Sequence, residues 1–302
     1  MGMAPGTMAA IGRGRKLLYS AIPSLVGILG VSGAYQFLER LVPIRDEEFI
    51  NSFHRESLRL IFPARGEAWL EEVVRRLSVH NRWSYLDSLI LPSLPGALLD
   101  RVFAVEGMEA IQRALDRGRG AIVYGIHYGR IWTAIIYVCR KGYPLSTIVN
   151  LKGLGAARNV ERCMTGALYD TDGFSKDPIY QRLRNNEIIL TMADGGVARR
   201  PVETRFLGRP VYLSPSFLNW AQETGAALIS WIGLSHARDR IELRFSDMSG
   251  FPRQDSFGDW MEWLLAPLAE YVRSDPSQWY SARRMLRASQ ASPCGFEGAY
   301  GR

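Results

Sequence analysis

The chain changes hydrophobic period along its length. From residue 46 to 90 apolar positions recur every three to four residues, and EEFINSFHRESLRLIF and EAWLEEVVRRLSVHNRWSYLDSLI each predict an amphipathic helix. Pro92 and Pro95 interrupt this pattern, and LLDRV leads into a short strand, VFAVEG. GMEAIQRALDRG predicts a helix with its charges on one side, stopped at Gly118 and Gly120. The next segment, GAIVYGIH, carries an apolar run from Ala121 to Tyr124 between glycines, the mark of a strand buried on both faces. WTAIIYVCRKG then predicts a helix, PLSTIVN a strand, and ARNVERCMTGAL and PIYQRLRNN two more helices. EIILTMAD is a second buried strand. FLGRPVYLSPSFLNWAQETGAALISWIGL reads as a loop, a helix and a further strand. RIELRFSDM alternates and reads as an antiparallel edge strand, and FGDWMEWLLAPLAEYVRSDP closes with an amphipathic helix. After about residue 287 a Ser/Gly-rich tail is expected to be loose.

Strands alternating with helices predict an α/β fold: one mostly parallel central sheet flanked by helices, with a helical N-terminal region. In such sheets ligands bind beyond the carboxyl ends of the strands. His127 and Asp194 both fall at such ends, which singles them out. Domain organisation is read as an N-terminal membrane-associated region over 1–45 and an α/β domain over 46–302, with a helical lead-in at 46–100.

Residues 17 to 38, LLYSAIPSLVGILGVSGAYQFL, carry no charge and follow Arg13, Arg15 and Lys16. As a helix this stretch would reach about 33 Å, enough to cross a bilayer. Pro23, Gly27, Gly30 and Gly33 weaken it, and three serines and a glutamine dilute its apolarity. A full span, a signal peptide and a helix touching the membrane all fit; the last is preferred. The positive-inside rule puts residues 1–16 in the cytoplasm, so a full span would carry the rest of the chain outside.

Of 302 residues 47% are apolar and 22% charged, which excludes a disordered chain and a polytopic membrane protein. There are 37 Lys+Arg against 30 Asp+Glu, and only Lys16, Lys141, Lys152 and Lys176 are lysines. Arginine grips planar oxyanions with two N–H groups, so the bias suits phosphate or carboxylate partners; genomic base composition produces the same bias. The +7 charge is spread along the chain without a recognition motif, so nucleic acid is not an expected partner. Cys139, Cys163 and Cys294 form no CxxC pair, and His54, His80, His127 and His236 lack ligand spacing. No metal and no cofactor is expected. GxSxG, GxxxxGK[ST] and GxGxxG after a strand are all missing, which argues against hydrolase-elbow, P-loop and dinucleotide chemistry.

GIHYG places His127 between glycines at a strand end, where neutral imidazole can take a proton from a hydroxyl or amine. A loop histidine bonded only to backbone is the plainer alternative. Asp194 in TMADGG is either a turn former or a carboxylate that orients His127. Arg199, Arg200, Arg205 and Arg209 cluster in GGVARRPVETRFLGRP, as a solvated loop or as a rim for a phosphate. Trp220, Trp231, Trp260, Trp263 and Trp279 read as core or, at a membrane-facing surface, as interfacial residues.

Four blocks, in order, carry a resemblance: FAVEGMEAIQRALDRGRGAIVYGIHYG, DPIYQRLRNNEIILTMADGG, ETRFLGRPVYLSPSFLNWAQETGAALI and SDPSQWYSARR. Over about residues 70–287 the chain resembles the bacterial lipid A biosynthesis lauroyl/myristoyl acyltransferase family, which includes mycobacterial phosphatidylinositol mannoside acyltransferases. The resemblance implies a glycerolipid acyltransferase-like fold. It also implies transfer of an acyl group from acyl carrier protein or CoA to a lipid or other hydroxyl or amine acceptor. It implies His127 as general base, with the work done at the cytoplasmic face of the bacterial inner membrane by a peripheral or singly anchored protein. The family's His-x4-Asp/Glu motif is altered here: Arg130, Ile131 and Trp132 stand where Asn, Trp and the acid are usual. An indole cannot carry negative charge or stabilise an imidazolium as a carboxylate does. Asp194, at the family's second acidic position, is the expected substitute. An easier nucleophile, such as an amine, or a relative that binds lipid or carrier protein without acyl transfer are the alternatives. Trp132 is expected to reshape the substrate pocket, and Arg130, Arg158, Arg162 and Arg209 to hold phosphates. The oxyanion of the reaction is expected to rest on arginine or on backbone N–H groups.

Overall fold

The computed structural model describes residues 5–41, 47–149, 155–171, 175–194, 201–250 and 256–282. The tail after residue 287, and Arg199 and Arg200 of the arginine cluster, lie outside the described residues. The first elements are helices α1 (Pro5–Leu41), α2 (Glu47–Ile61) and α3 (Glu67–Ile90), and a 3-10 turn at Leu91–Ser93 takes up Pro92. α1 is broken at Gly30. Its inward residues Ile22, Val26, Ala34, Tyr35 and Leu38 are buried, and the helix packs on α3. Its outer face leaves Ile28 80% exposed, with Leu29, Phe37 and Leu41 also in solvent. Ser20–Leu41 is long and apolar enough to cross a membrane, with a mean hydropathy of 1.4.

The remaining elements, in order, are α4 (Gly96–Val102), β1 (Phe103–Glu106), α5 (Met108–Asp116), β2 (Ala121–Gly125), α6 (Thr133–Arg140), β3 (Leu145–Val149), α7 (Gly155–Val160), β4 (Leu168–Asp170), α8 (Asp177–Arg184), β5 (Ile188–Met192), β6 (Val202–Phe206), β7 (Arg209–Leu213), α9 (Ser216–Thr224), β8 (Ala227–Ala237), β9 (Arg240–Asp247) and α10 (Phe257–Ser274). Seven strands form one sheet in the order β1-β9-β8-β2-β5-β3-β4. β8, β2, β5, β3 and β4 run parallel, while β9 runs antiparallel to β8 and parallel to β1. This is the mostly parallel, helix-flanked sheet that the pattern predicts.

Strand alternation divides the core into two layers. Ala121 and Val123 of β2 join an apolar cluster with α1, α5 and α6, while Ile122 and Tyr124 join another with α8, α9 and α10. β2 is buried along its whole length, as its unbroken apolar run requires.

Three local expectations are corrected. RIELRFSDM forms β9, which is antiparallel to β8 as expected but lies inside the sheet, between β8 and β1. Its alternation reflects one wet face, where Glu242 meets His236 and Arg244, and not an open edge. The stretch read as a loop at FLGRP is a hairpin of β6 and β7, turned by Leu207 and Gly208, both at positive φ. ARNVERCMTGAL is helical only to Val160, passes through a 3-10 turn at Glu161–Cys163, and ends in the edge strand β4.

Candidate active site

β2 and β5 are neighbours in register, with Gly125 opposite Met192, so the residues that follow them emerge side by side at the carboxyl edge. The Ala193 amide donates to the Gly125 carbonyl at 2.8 Å and extends the pairing one step past the strands. One residue further, the Asp194 carboxylate meets His127. Nδ1 of His127 lies 2.7 Å from Asp194 Oδ1. The His127 backbone N–H donates to the same carboxylate, at 3.1 Å to Oδ1 and 2.9 Å to Oδ2.

The two side chains sit in different environments. Asp194 is fully buried at its side chain, while that of His127 is 21% exposed. Burial opposes ionisation of Asp194. The His127 ring, as charge and as hydrogen-bond donor, overcomes this with help from the His127 amide. The carboxyl is held below its ordinary value. An ionised Asp194 at Nδ1 fixes the imidazole tautomer with its hydrogen there and leaves the basic lone pair on Nε2, on the partly exposed side chain.

The turn that carries His127 is fixed at every backbone step. Tyr280 N–H donates to the His127 carbonyl at 2.8 Å, and Tyr128 N–H to the Ile126 carbonyl at 2.7 Å. Gly129 N–H donates to the Gln278 carbonyl at 2.6 Å, and Arg130 N–H to the Gly233 carbonyl at 2.9 Å. The Tyr128 hydroxyl bonds the carbonyls of Tyr271 and Asp275. The amides of residues 127–130 are therefore all engaged, and this turn offers no backbone cradle for an oxyanion. Gly129 is required here: its φ is +62°, and a Cβ would sit 1.8 Å from the Gly233 carbonyl oxygen. Gly125 is required for a second reason: a Cβ would lie 2.7 Å from Nε1 of Trp231, whose indole crosses the strand.

The other expected site residues lie apart from this pair. Arg130 is fully buried, and its guanidinium faces Asp87 in the protein interior, not a ligand surface. Trp132 is buried at the start of α6, in the apolar cluster with Ile135 and Ile136. Arg158 on α7 and Arg162 in the following 3-10 turn are exposed. Both lie on the connection between β3 and β4; Thr165, three residues past Arg162, donates to the Tyr143 carbonyl ahead of β3, at the edge of the sheet opposite His127. Arg209 begins β7 and donates to the Leu60 carbonyl at 2.8 Å, joining the hairpin to α2. Arg205 is exposed on β6. No group of three or more His, Cys, Asp or Glu residues is placed to hold a metal among the described residues.

Two contributions escaped the sequence reading. Gly233 and Gln278 hold the turn through main-chain groups, which no residue-type pattern reveals. Asp87 had a usable signal. With Leu77, His80 and Ser84 it shares the buried stripe of α3, and a carboxylate on a core-facing stripe demands a cation. A cleft of about 420 Å³ opens between α1 and α3, lined in part by Glu39, Arg75, Trp83 and Arg238, and includes neither His127 nor Asp194. Its walls are self-paired, Glu39 with Arg238 and Arg75 with Glu72.

Phosphatidylinositol mannoside acyltransferases from two strains of Mycobacterium tuberculosis are 28% identical over 149 residues, 43% of this chain and 43% of each relative. The chain thus matches less than half the length of these curated relatives. A structural similarity links it to the 1-acyl-sn-glycerophosphate acyltransferase PlsC of Thermotoga maritima, with 15% identity and a TM-score of 0.37, over 76% of this chain and 93% of that one. The family model described as bacterial lipid A biosynthesis acyltransferase matches residues 16–287, and the chain belongs to that family.

Proposed function

We propose that this protein moves an acyl group from a thioester donor, acyl carrier protein or acyl-CoA, to a hydroxyl or amine of a membrane lipid. The observation that carries the reading is the 2.7 Å contact between His127 Nδ1 and the buried Asp194 carboxylate at the carboxyl edge of the sheet. His127 Nε2 takes the proton of the acceptor as its oxygen or nitrogen attacks the thioester carbonyl. The tetrahedral oxyanion collapses, the carbon–sulfur bond breaks, and the leaving thiolate recovers the proton from His127. Products are an ester or amide and a free thiol, with no covalent enzyme intermediate. Asp194 holds the ring tautomer and stabilises the transient imidazolium, taking the place of the acid that Trp132 replaces in the motif. The oxyanion donor lies outside the amides of 127–130, since these are committed to the turn.

Arg158, exposed on the connection from β3 to β4, is assigned to a phosphate of donor or acceptor. The named relatives act on a phosphatidylinositol mannoside, and a phosphate-bearing glycolipid is the acceptor class assigned here. Thioester donors are cytoplasmic, which places the reaction at the cytoplasmic face of the inner membrane, with the exposed apolar side of α1 against the lipid.

The test is incubation of the full chain with mixed acyl-CoA and acyl carrier protein donors and a total bacterial lipid extract, with products read by mass spectrometry. His127→Ala runs in parallel. A new acylated product that disappears in the variant is the expected result. Donor binding with no product from either protein would favour the relative that binds without transferring.

A further inference from the structure

Arg130 follows His127 by three residues and is the largest fully buried charged side chain among the described residues. Burying a guanidinium costs several kcal/mol unless its donors are all met. Here they are met from three directions. Nε donates to Asp87 Oδ2 at 2.7 Å and Nη2 to Asp87 Oδ1 at 2.5 Å, a forked pair onto α3. Nη2 also reaches the Tyr35 hydroxyl of α1 at 3.1 Å and the Arg238 carbonyl at 3.0 Å. Nη1 reaches the Ala237 carbonyl at 3.2 Å and the Ser235 hydroxyl at 3.3 Å, at the end of β8. Tyr35 closes the triangle by donating to Asp87 Oδ1 at 2.5 Å.

A second layer repeats the link. The guanidinium groups of Arg130 and Arg238 each lie 5.6 Å from the centroid of the Trp83 ring. Trp83 Nε1 donates to Glu39, one helical turn beyond Tyr35, at 2.5 Å, and Arg238 forks onto the same carboxylate at 3.0 Å. α1, α3, the His127 turn and the β8–β9 turn thus meet at Arg130. A helix that served only to hold a lipid surface, or a leader to be removed, needs none of these buried bonds. Removing it would leave Asp87 and Arg130 without the Tyr35 hydroxyl.

We propose that Arg130 is a positioning residue for His127, and that α1, through Tyr35 and Glu39, is a working part of the active site as well as its membrane-facing surface. The inference rests on the acyl-transfer reading for its kinetic consequences. The path is short. The Arg130 side chain fixes its own backbone against Gly233, which fixes the Gly129 turn and the direction of the His127 ring toward Asp194. An error of an ångström in that ring is worth about 100-fold in rate.

Three full-length variants test this in lipid nanodiscs: Tyr35→Phe, Arg130→Lys, and the double variant Arg130→Met with Asp87→Leu. The double variant replaces the pair with apolar groups of similar size, a change that buried ion pairs commonly tolerate. The readouts are kcat and KM for the acyl donor, and the His127 ring resonances by NMR, which report tautomer and the Nδ1 hydrogen bond without turnover. The expected result is a kcat about 10- to 100-fold lower for the double variant, with KM within about twofold and an altered His127 ring signal. Arg130→Lys should not restore the rate, because an ammonium cannot reproduce the fork. Tyr35→Phe should lower kcat severalfold while the protein stays folded, and it carries the test if the double variant does not fold. Folded variants with wild-type kcat and an unchanged His127 signal would overturn the proposal. If the wild-type protein transfers no acyl group, the acyl-transfer reading fails by itself. The NMR arm then decides the positioning role: an altered ring signal supports it, and an unchanged one overturns it.

Discussion

Asp194→Asn is the sharpest probe of the proposed mechanism. The substitution keeps the shape of a fully buried side chain and removes its charge. The amide oxygen can still accept from the His127 N–H, which now lies 2.9 to 3.1 Å from the carboxylate. The amide nitrogen is then turned toward His127 Nδ1, where a donor would face a donor. The ring responds by moving its hydrogen to Nε2, and the lone pair that takes the acceptor proton is lost. The corresponding change in a serine-protease triad costs about 10⁴ in kcat, equivalent to about 5 kcal/mol of barrier. A loss of about 10³- to 10⁴-fold is therefore expected, with KM for the acyl donor nearly unchanged. The assay is product formation from a single acyl-CoA, quantified by mass spectrometry, beside a thermal melt to establish folding. A folded variant that keeps more than a tenth of the wild-type kcat would refute the assignment of Asp194 as the orienting carboxylate.

Other expectations follow from the same geometry. Gly129→Ala forces a Cβ to within 1.8 Å of the Gly233 carbonyl at a φ of +62°, and should destabilise the protein by about 3 kcal/mol or more in urea unfolding. Burial pushes the His80 pKa down to about 4 from 6.5. The unfolded chain therefore takes up this proton first on acidification, and stability falls between about pH 6.5 and pH 4 by roughly 3 kcal/mol; Asp194, held below its ordinary value, adds a further loss at lower pH. Urea unfolding across that range should show the slope, and His80→Leu should flatten it; equal slopes would exclude His80 as the source. Ile28→Glu with Phe37→Glu places charge on the exposed side of α1 and should weaken co-sedimentation with anionic vesicles by about 10-fold or more. Unchanged co-sedimentation would remove α1 from the lipid contact.

The long-period features of the fold were legible in the sequence because burial on two faces leaves an unmistakable trace. β2 and β5 each show an apolar run, and His127 and Asp194 follow at their carboxyl ends. What alternation could not report was which strand neighbours which. β9 alternates because one face of the sheet is wet there, a pattern that an edge strand produces equally. The hairpin of β6 and β7 turns on Leu207 at positive φ, a conformation that leucine does not advertise. Residue type alone makes Arg130 a phosphate ligand. Its true partner, Asp87, lies 43 residues earlier on α3, and only the packing of that helix brings the two together.

The order of the strands also dictates when the protein can become active. β5 enters the sheet between β2 and β3, two strands made earlier, and the other side of β2 is completed only by β8. The outermost strand β1 waits longer still, since its one partner, β9, begins more than 130 residues later. During synthesis His127 therefore emerges long before the carboxylate and the Gly233 and Gln278 supports that arrange it. The nascent chain has the base without the means to aim it, so assembly of the site coincides with completion of the sheet.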